Sequence, residues 1–289
     1  MQTTGVFTKF NYVINVKKIN EPIYLIPFGD VHRSSPMCHV DKWKEFLDWA
    51  KTKPRCLFLG MGDYDDLGSS SERRILLNPD LHESSIKTLE DLYNKHTSAF
   101  AKEISFMNGN IIGFIEGNHY GQFANGTTTT QRLSELTKAK YLGVSSFIRL
   151  SFSYGKKRTS IDIWAHHGKG AARLVGGSIN RIQQMGEAAE ADIYLMGHDH
   201  KKAVGMTTKL YLTNGQGLEL RQRKQLYIRT GSFLKGYEDN RSSYVADAAM
   251  NPTDLGVVKI EMTPRREQHR HSAGNPVDDH FYVDLHASI

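Results

Sequence analysis

Residues Ile23–His32 read IYLIPFGDVH, an apolar run that ends in glycine and is followed by an aspartate and a histidine two positions apart. A short apolar run rich in β-forming residues and closed by a turn residue predicts a buried strand. The same pattern of strand, turn and polar residue recurs at four further places in the chain: Cys56–Met61 before Gly62-Asp63, Ile111–Ile115 before Glu116-Gly117-Asn118-His119, Ile161–Ala165 before His166-His167-Gly168, and Ile193–Met196 before Gly197-His198-Asp199-His200. Because ligands bind outside the carboxyl ends of strands in open α/β sheets, we expect these polar side chains to converge.

Helix-like spacing of apolar residues separates these strand candidates, at Asp41–Lys51, Ser84–Ile104, Gln131–Leu136 and Gly170–Ala191. Alternating strands and helices predict an α/β fold with a parallel or mixed sheet. After about residue 201 the pattern becomes β-rich, with strand candidates at Val204–Leu212, Gln225–Thr230 and Leu255–Met262. We expect this half to form a second sheet within a single domain spanning 1–289. A polar tail from about 264 then holds one late strand, His280–Leu285.

The composition excludes several classes of protein. Charged residues make up 24% of the 289 residues, which is too ordinary for a disordered or collagen-like chain. No apolar run is long enough to span a bilayer, and the first residues lack the pattern of a signal peptide. The two cysteines, Cys38 and Cys56, have no metal-like or disulfide-like spacing. We therefore expect a cytoplasmic protein with free thiols and no membrane partner.

The residue types at the strand ends indicate metal binding. Carboxylate oxygen and imidazole nitrogen suit Mn, Fe, Zn, Ni or Co. Seven ligand groups are too many for one zinc ion, which takes about four, and they suit two ions that share a carboxylate. The set comprises Asp30, His32, Asp63, Asn118, one histidine at 166 or 167, His198 and His200. A glycine before each group allows a positive φ and a close approach of the backbone.

In this order the motifs Asp30-x-His32, Gly62-Asp63-x-x-Asp66, Gly117-Asn118-His119, His166 and Gly197-His198-x-His200 resemble the calcineurin-like metallophosphoesterase superfamily. The resemblance runs from Asp30 to His200. It implies a four-layer α/β/β/α sandwich, in which two mixed β-sheets are flanked by helices and the metal site lies at the carboxyl ends of the strands.

The resemblance also implies roles for individual residues. One metal would be held by Asp30, His32, Asp63 and His200, and the other by Asp63, Asn118, His166 and His198. Asp63 would bridge the two ions, and we choose His166 over His167 because it directly follows the strand. His119 would act as a general acid or charge stabiliser beside the leaving group.

The implied activity is metal-dependent hydrolysis of phosphoesters, by attack of a hydroxide that bridges two divalent transition-metal ions. Manganese is the first choice of metal, with Fe, Zn, Ni or Co as alternatives. The sequence departs from the superfamily at Tyr120, where an acid commonly supports the histidine of Gly-Asn-His. Asp66 could orient a ligand or cap the following turn.

The substrate is predicted from cations near the ligands. Lys169 and Arg173 follow the 166–168 loop, where a helix start and a cation could both face a phosphate. Residues 201–235 contain a single acidic residue, Glu219, and eight basic ones: Lys201, Lys202, Lys209, Arg221, Arg223, Lys224, Arg229 and Lys235. Interleaved aromatic residues in this stretch are typical of single-stranded nucleic-acid surfaces. These features predict a phosphodiesterase, a nuclease or an enzyme of nucleotide-type diesters. The alternatives are a phosphomonoesterase for small esters and a non-catalytic nucleic-acid-binding relative.

Overall fold

The computed structural model describes residues 7–76, 81–212, 220–269 and 278–289. Thirteen strands lie within these residues: β1 (Phe7–Asn15), β2 (Ile23–Phe28), β3 (Cys56–Gly60), β4 (Ile111–Phe114), β5 (Lys140–Tyr141), β6 (Ser145–Tyr154), β7 (Lys157–His166), β8 (Ile193–Met196), β9 (Lys202–Leu212), β10 (Leu220–Ser232), β11 (Gly256–Val257), β12 (Lys259–His269) and β13 (Asp278–Ser288). The helices are α1 (Val40–Lys51), α2 (Ser70–Leu76), α3 (Glu83–Glu103), α4 (Thr129–Thr137), α5 (Val175–Gln183), α6 (Met185–Ala188) and α7 (Tyr244–Asp247), with one 3-10 turn at Ser105–Met107.

The described strands form two mixed sheets. The first has the order β1-β6-β7-β8-β10-β11, and β9 pairs with β10. The second has the order β13-β12-β2-β3-β4-β5. In the first sheet β7, β8 and β10 are parallel, and in the second β2, β3, β4 and β5 are parallel. Each sheet therefore has one edge at which several strands end together.

Period-two alternation explains how both faces of each sheet are buried. In β2, Leu25 faces the core between the two sheets, and its neighbour Ile26 faces the core beneath α1 and α3. In β8, Leu195 faces the inter-sheet core and Tyr194 packs in a third core with residues of α5 and α6. The layers are helices, sheet, sheet and helices, which confirms the α/β/β/α sandwich.

The helix over the second sheet has the expected amphipathic pattern. The buried residues of α1 are Trp43, Phe46, Leu47 and Ala50, at spacings of three and four that place them on one face. They pack on Phe28, whose ring has aromatic neighbours from α1, β3, β4 and the loop after β3. Burial of this aromatic cluster fixes α1 over β2, β3 and β4 of the second sheet.

The second half of the chain does not form the separate sheet that its β-rich pattern predicts. Leu226 of β10 pairs with Ile193 of β8, so β9, β10 and β11 extend the sheet of β6–β8. Ile260 of β12 pairs with Leu25 of β2, so β12 and β13 extend the other sheet. Whether the whole chain is one domain stays a prediction.

Other elements also differ from the sequence prediction. The segment after residue 264 is not a polar tail, because β12 continues to His269 and pairs with β13 in antiparallel register. The helix predicted over Gly170–Ala191 begins only at Val175 and is divided into α5 and α6. The strand β1 is absent from the sequence prediction, although Phe10, Tyr12 and Ile14 alternate with more exposed residues as a half-buried strand requires.

Two further expectations concern the surroundings of the protein. Both cysteines, Cys38 and Cys56, are buried free thiols. Among the described residues, every helix is too short or too polar to cross a lipid bilayer.

We predict that Phe28→Ala lowers the free energy of unfolding by about 3–5 kcal/mol, because it empties a fully buried site lined with rings. The matched control is Phe7→Ala at a 57%-exposed ring of edge strand β1, which should change that free energy by about 0.5 kcal/mol or less. Denaturant unfolding of both variants measures the difference. Equal losses would contradict the assignment of Phe28 to the core beneath α1.

Candidate metal and catalytic site

The polar residues that follow five strands meet where the carboxyl ends of the two sheets adjoin. Asp30 and His32 follow β2, Asp63 follows β3, and Asn118 and His119 follow β4. From the other sheet, His167 follows β7, and His198 and His200 follow β8. The structure thus brings together the side chains that the sequence predicted to converge, except that His167 takes the place predicted for His166.

The first group of possible metal ligands consists of Asp30, His32 and His200. Nε2 of His200 lies 3.6 Å from Oδ1 of Asp30. That carboxylate oxygen and both ring nitrogens of His32 are buried without a hydrogen-bond partner. Because a buried polar atom without a partner costs free energy, three such atoms at one point indicate a site built for an additional ligand.

The second group consists of Asp63, His167 and His198, joined by the Asn118 amide. Oδ1 of Asn118 lies 2.9 Å from Nε2 of His167 and 2.8 Å from Nδ1 of His198. Nε2 of His167 is 3.1 Å from Oδ2 of Asp63. Nδ1 of His167 donates to the Met61 carbonyl oxygen, which orients the ring so that Nε2 faces the group.

Asp63 links the two groups. Its Oδ2 lies 3.1 Å from His167 and 3.8 Å from Nε2 of His32, so one carboxylate oxygen faces both sets of ligands. Its Oδ1 accepts hydrogen bonds from the backbone N–H groups of Asn118 and His119. The carboxylate is therefore fixed in the position that a bridging ligand requires.

The choice of His166 as a ligand requires correction. In β7, Ile163 and Ala165 face the inter-sheet core, so His166 lies with Trp164 on the opposite face. Nδ1 of His166 accepts a hydrogen bond from the Gly168 backbone N–H, at a distance from the ligand groups. His167 is the first residue after the strand and is buried between Asp63 and Asn118.

The backbone at the site is strained. Asp30, His32, Asp63, His198 and His200 all have φ between 46° and 71°, in the left-handed region that residues other than glycine rarely occupy. Such strain persists only where the surrounding structure imposes it, and it concentrates at functional sites. The positive φ expected of the preceding glycines thus falls mainly on the ligand residues themselves.

The glycines before the ligands serve close packing instead. A Cβ atom on Gly117 would lie 2.0 Å from Oδ1 of Asp63, and one on Gly197 would lie 2.7 Å from Oδ2 of Asp30. Gly62 alone of these glycines also has a positive φ, of 101°. A side chain at Gly117 or Gly197 would collide with a candidate ligand.

Burial shapes the protonation of the site. Burial and the nearby Asp63 charge raise the pKa of Asp30 to about 7, although His167 opposes the shift. Burial lowers the pKa of His198 to about 4, and the His167 charge adds to the effect. Burial likewise lowers the pKa values of His32 and His200. These three imidazoles are therefore neutral near pH 7, the form that binds a metal ion.

His167 and Asp63 behave as a charged pair. Burial disfavours charge on His167, but the Asp63 carboxylate and its hydrogen bond raise the pKa of the imidazole to about 9. Burial also opposes ionisation of Asp63, yet the surrounding imidazoles hold its pKa well below the usual range. The ionised Asp63 carboxylate thus already balances the positive charge of the protonated His167 ring, and it would balance the charge of a metal ion that replaced this proton.

His119 lies beside the ligand groups and is held by Asp66. Its Nδ1 is 2.6 Å from Oδ1 of Asp66. Burial would lower the pKa of His119, but the Asp66 hydrogen bond and the Asp63 charge outweigh it and raise the pKa. Asp66 therefore supplies the acidic support that the sequence lacks at Tyr120.

A buried arginine that sequence reasoning missed secures this arrangement. Nη1 of Arg73 donates to the carbonyl oxygens of Gly68, Asn118 and Tyr120, at 2.6, 2.7 and 3.1 Å. Its guanidinium also lies 3.8 Å from the centre of the Tyr120 ring. Arg73 thus ties the loop after β4 to the loop after β3. Its position on α2, which follows Asp66 along the chain, was the only signal in the sequence.

The two predicted substrate-binding cations, Arg173 and Lys169, differ in their position relative to the site. Arg173 lines an open cleft of about 570 Å³ together with His32, Asp63, His119 and His200. Lys169 is exposed and is absent from the residues that line this cleft. The loop 170–174 precedes α5, so neither cation sits at the helix start that the sequence suggested.

The basic stretch 201–235 does not form one basic surface in the part of the chain that the structure describes. Six of its eight cations lie within ion-pair distance of acids, in the pairs Lys202–Asp254, Lys209–Glu190, Arg223–Asp192, Lys224–Asp284, Arg229–Asp199 and Lys235–Glu238. Glu219 lies outside the described residues. Among the aromatic residues, Tyr227 and Phe233 are buried in the core.

The cations at the start of β10 are also remote from the site. Oγ of Ser232, at the end of the strand, donates to the Asp30 carbonyl oxygen, whereas Lys224 lies eight residues earlier. At the usual rise of a strand this separation is about 26 Å. Binding of nucleic acid stays a prediction, and these cations would not meet a phosphate at the metal-ligand groups.

We predict that His167→Ala removes metal binding at the second group, because Nε2 of this ring faces Asp63 and Asn118. His166→Ala is the matched control, since it removes the same side chain one residue away and outside the group. Metal content after dialysis against Mn²⁺ measures both variants. Loss of metal in His166→Ala with full retention in His167→Ala would contradict the placement of His167, rather than His166, among the ligands.

No protein-family model and no curated protein sequence matches the chain. Solved structures that resemble it include a Vps29 mutant from Entamoeba histolytica, with 13% identity and a TM-score of 0.37 over 92% of this chain and 98% of that one. A predicted phosphoesterase from Streptococcus pneumoniae has 13% identity and a TM-score of 0.32 over 93% and 99% of the two chains. Vps29 from E. histolytica complexed with zinc has 11% identity and a TM-score of 0.33 over 90% and 99%.

Likenesses at these values assign neither a family nor a function to this chain. What it shares with the calcineurin-like metallophosphoesterases is the ordered set of ligand motifs and the two-sheet sandwich, and both rest on its own sequence and geometry.

Proposed function

We propose that the chain is a metal-dependent phosphoester hydrolase that prefers phosphodiesters. The observation that carries the proposal is the meeting of seven donor groups at the strand ends, with the donor atoms of Asp30 and His32 buried and unpaired. Those unpaired atoms fit a metal, since a bound cation would accept a lone pair from Oδ1 of Asp30 and from one ring nitrogen of His32.

The residues fit two divalent ions that share Asp63. Asp30, His32, Asp63 and His200 would hold one ion. Asp63, Asn118, His167 and His198 would hold the other. Two such ions supply a water of lowered pKa and positive charge beside the phosphoryl oxygens. Manganese is the ion proposed for the first assay, because oxygen and nitrogen donors suit it.

His119 acts on the leaving group. Its Nδ1 is held by Asp66, so Nε2 is the nitrogen that donates a proton to the departing oxygen. Against the effect of burial, the Asp66 hydrogen bond and the Asp63 charge raise the pKa of His119, which favours the protonated ring that a general acid needs. Arg73 holds the loop that carries His119, so the ring keeps its place beside the ligands.

The preference for diesters is supported by the charge and size of the cleft. Among the described residues that line it, the cations are Arg173, Lys201 and Lys235. Nζ of Lys201 donates to the Ala172 carbonyl oxygen, and Lys235 pairs with Glu238. Little free positive charge remains for a doubly charged monoester, and about 570 Å³ leaves room for ester groups on both sides of a phosphate.

We predict that the chain, stripped with chelator and reloaded with Mn²⁺, hydrolyses bis-nitrophenyl phosphate faster than nitrophenyl phosphate. The stripped protein and Asp63→Asn should both be inactive, because the shared carboxylate serves both ions. Release of nitrophenolate measures each rate. Faster turnover of the monoester would favour a phosphomonoesterase, and metal binding without hydrolysis would favour a non-catalytic relative.

We predict that His119→Ala slows hydrolysis of an alkyl ester by about 10²–10⁴-fold, because an alkoxide needs a proton to leave. The rate for a nitrophenyl ester should fall less, because nitrophenolate leaves without a proton. Asp66→Asn should slow the alkyl ester by about 10- to 100-fold, as expected for a group that orients a working side chain.

The double variant separates a coupled pair from two independent effects. If Asp66 acts through His119, adding Asp66→Asn to His119→Ala should cost little more than His119→Ala alone. Glu72→Gln is the control, because this nearby carboxylate accepts from the Ser69 backbone N–H and not from His119. Additive losses would show that Asp66 has a separate role.

A further inference from the structure

We infer that the cleft selects a phosphodiester in which one ester group is a nucleoside. The wall formed by residues 234–253 would bind this nucleoside, while the phosphate lies at the metal ligands. This inference rests on the proposed hydrolase function and names the substrate class of the same site. The inference is drawn from the cleft-lining residues that lie outside the candidate metal ligands and His119.

The lining of the cleft contains two chemically different groups of residues. One group consists of His32, Asp63, His119 and His200, where phosphate would react. The other group, the apolar end, consists of apolar side chains from two segments joined by backbone hydrogen bonds: Met37 after β2, and Leu234, Val245 and Met250 after β10. A hydrolase of small polar phosphates has no need of such a surface, so we assign it to an apolar part of the substrate.

The apolar end suits a flat ring with polar edges. The thioethers of Met37 and Met250 are flexible and make favourable contacts with aromatic rings. Asn251 and Thr253, which follow Met250 along the chain, also line the cleft and carry amide and hydroxyl groups that can hydrogen-bond to a base or a sugar. A plain hydrocarbon chain would leave those polar groups unused. The volume of about 570 Å³ lies in the range of small-molecule sites.

The wall is built into the fold. The backbone N–H of Lys235 donates to the Met37 carbonyl oxygen at 2.9 Å, and Nη1 of Arg241 donates to the Pro36 carbonyl oxygen at 2.7 Å. The Met250 backbone N–H donates to the Val245 carbonyl oxygen at 2.9 Å. Residues 234–253 are therefore tied to the loop that follows the first two ligands, and they line the same cleft as those ligands.

A small diester fits better than a polymer. Polymeric nucleic acid requires a track of free cations along its backbone. The described cations of the stretch 201–235 are instead largely paired with acids, and Arg223 and Lys224 lie at the far end of β10. Arg173 at the cleft suffices for the single negative charge of one phosphodiester.

Two substrates with the same leaving group test the inference. For the manganese-loaded chain, kcat/KM for the thymidine nitrophenyl phosphodiester should exceed that for the methyl nitrophenyl phosphodiester by about 10- to 100-fold, as expected from burying a side-chain-sized apolar group. Met250→Ser should lower this ratio about tenfold, chiefly through KM for the thymidine ester. Met206→Ser, at a 62%-exposed methionine of β9, is the matched control and should leave the ratio unchanged.

Thymidine itself provides a readout that does not depend on turnover. Ligand-observed NMR on the chain without added metal should show binding that weakens about tenfold in Met250→Ser and not in Met206→Ser. Equal kcat/KM values for the two esters, with no thymidine binding, would overturn the nucleoside site and leave the hydrolase standing. Thymidine binding that depends on Met250, with neither ester hydrolysed, would support the nucleoside site and overturn the proposed hydrolase.

Discussion

The site depends on the contacts of the Asp63 carboxylate. One of its oxygens is fixed by the backbone of the loop after β4, and the other faces His32 from one sheet and His167 from the other. A single side chain thus joins the strand ends of both sheets. The position of the carboxylate therefore requires the two sheets to pack with their carboxyl ends together, and the large inter-sheet core supplies that packing.

The stability of the sandwich is reduced by strain at this point. Five ligand residues hold left-handed backbone conformations, and buried donor atoms remain without partners. Neither feature would survive on a mobile loop, because each costs free energy that only a rigid surround can offset. Arg73 and Arg229 help to provide that surround: Arg73 ties together the loops of Asp66 and Asn118, and Arg229 donates to the Gly197 carbonyl oxygen before His198.

Much of this architecture could be predicted from the sequence. The strands β2 and β8 match their predicted ranges, because each is a short apolar run whose two faces are both buried. Local patterns could not separate His166 from His167, since the answer depends on which face of β7 meets the other sheet. The hydrogen bond between Asp66 and His119 joins residues 53 positions apart, and the pairing of Lys224 with Asp284 spans 60. Charge counted along the chain cannot reveal such pairs.

A site in which Asp63 is shared by two ions is tested by the position of metal ions in crystals of the manganese-loaded protein, measured by anomalous scattering at the manganese absorption edge. We expect two peaks that flank the Asp63 carboxylate, one beside His200 and the other beside His198. At most one peak in this region, or ions bound only away from Asp63, would contradict a site in which one carboxylate serves two metals.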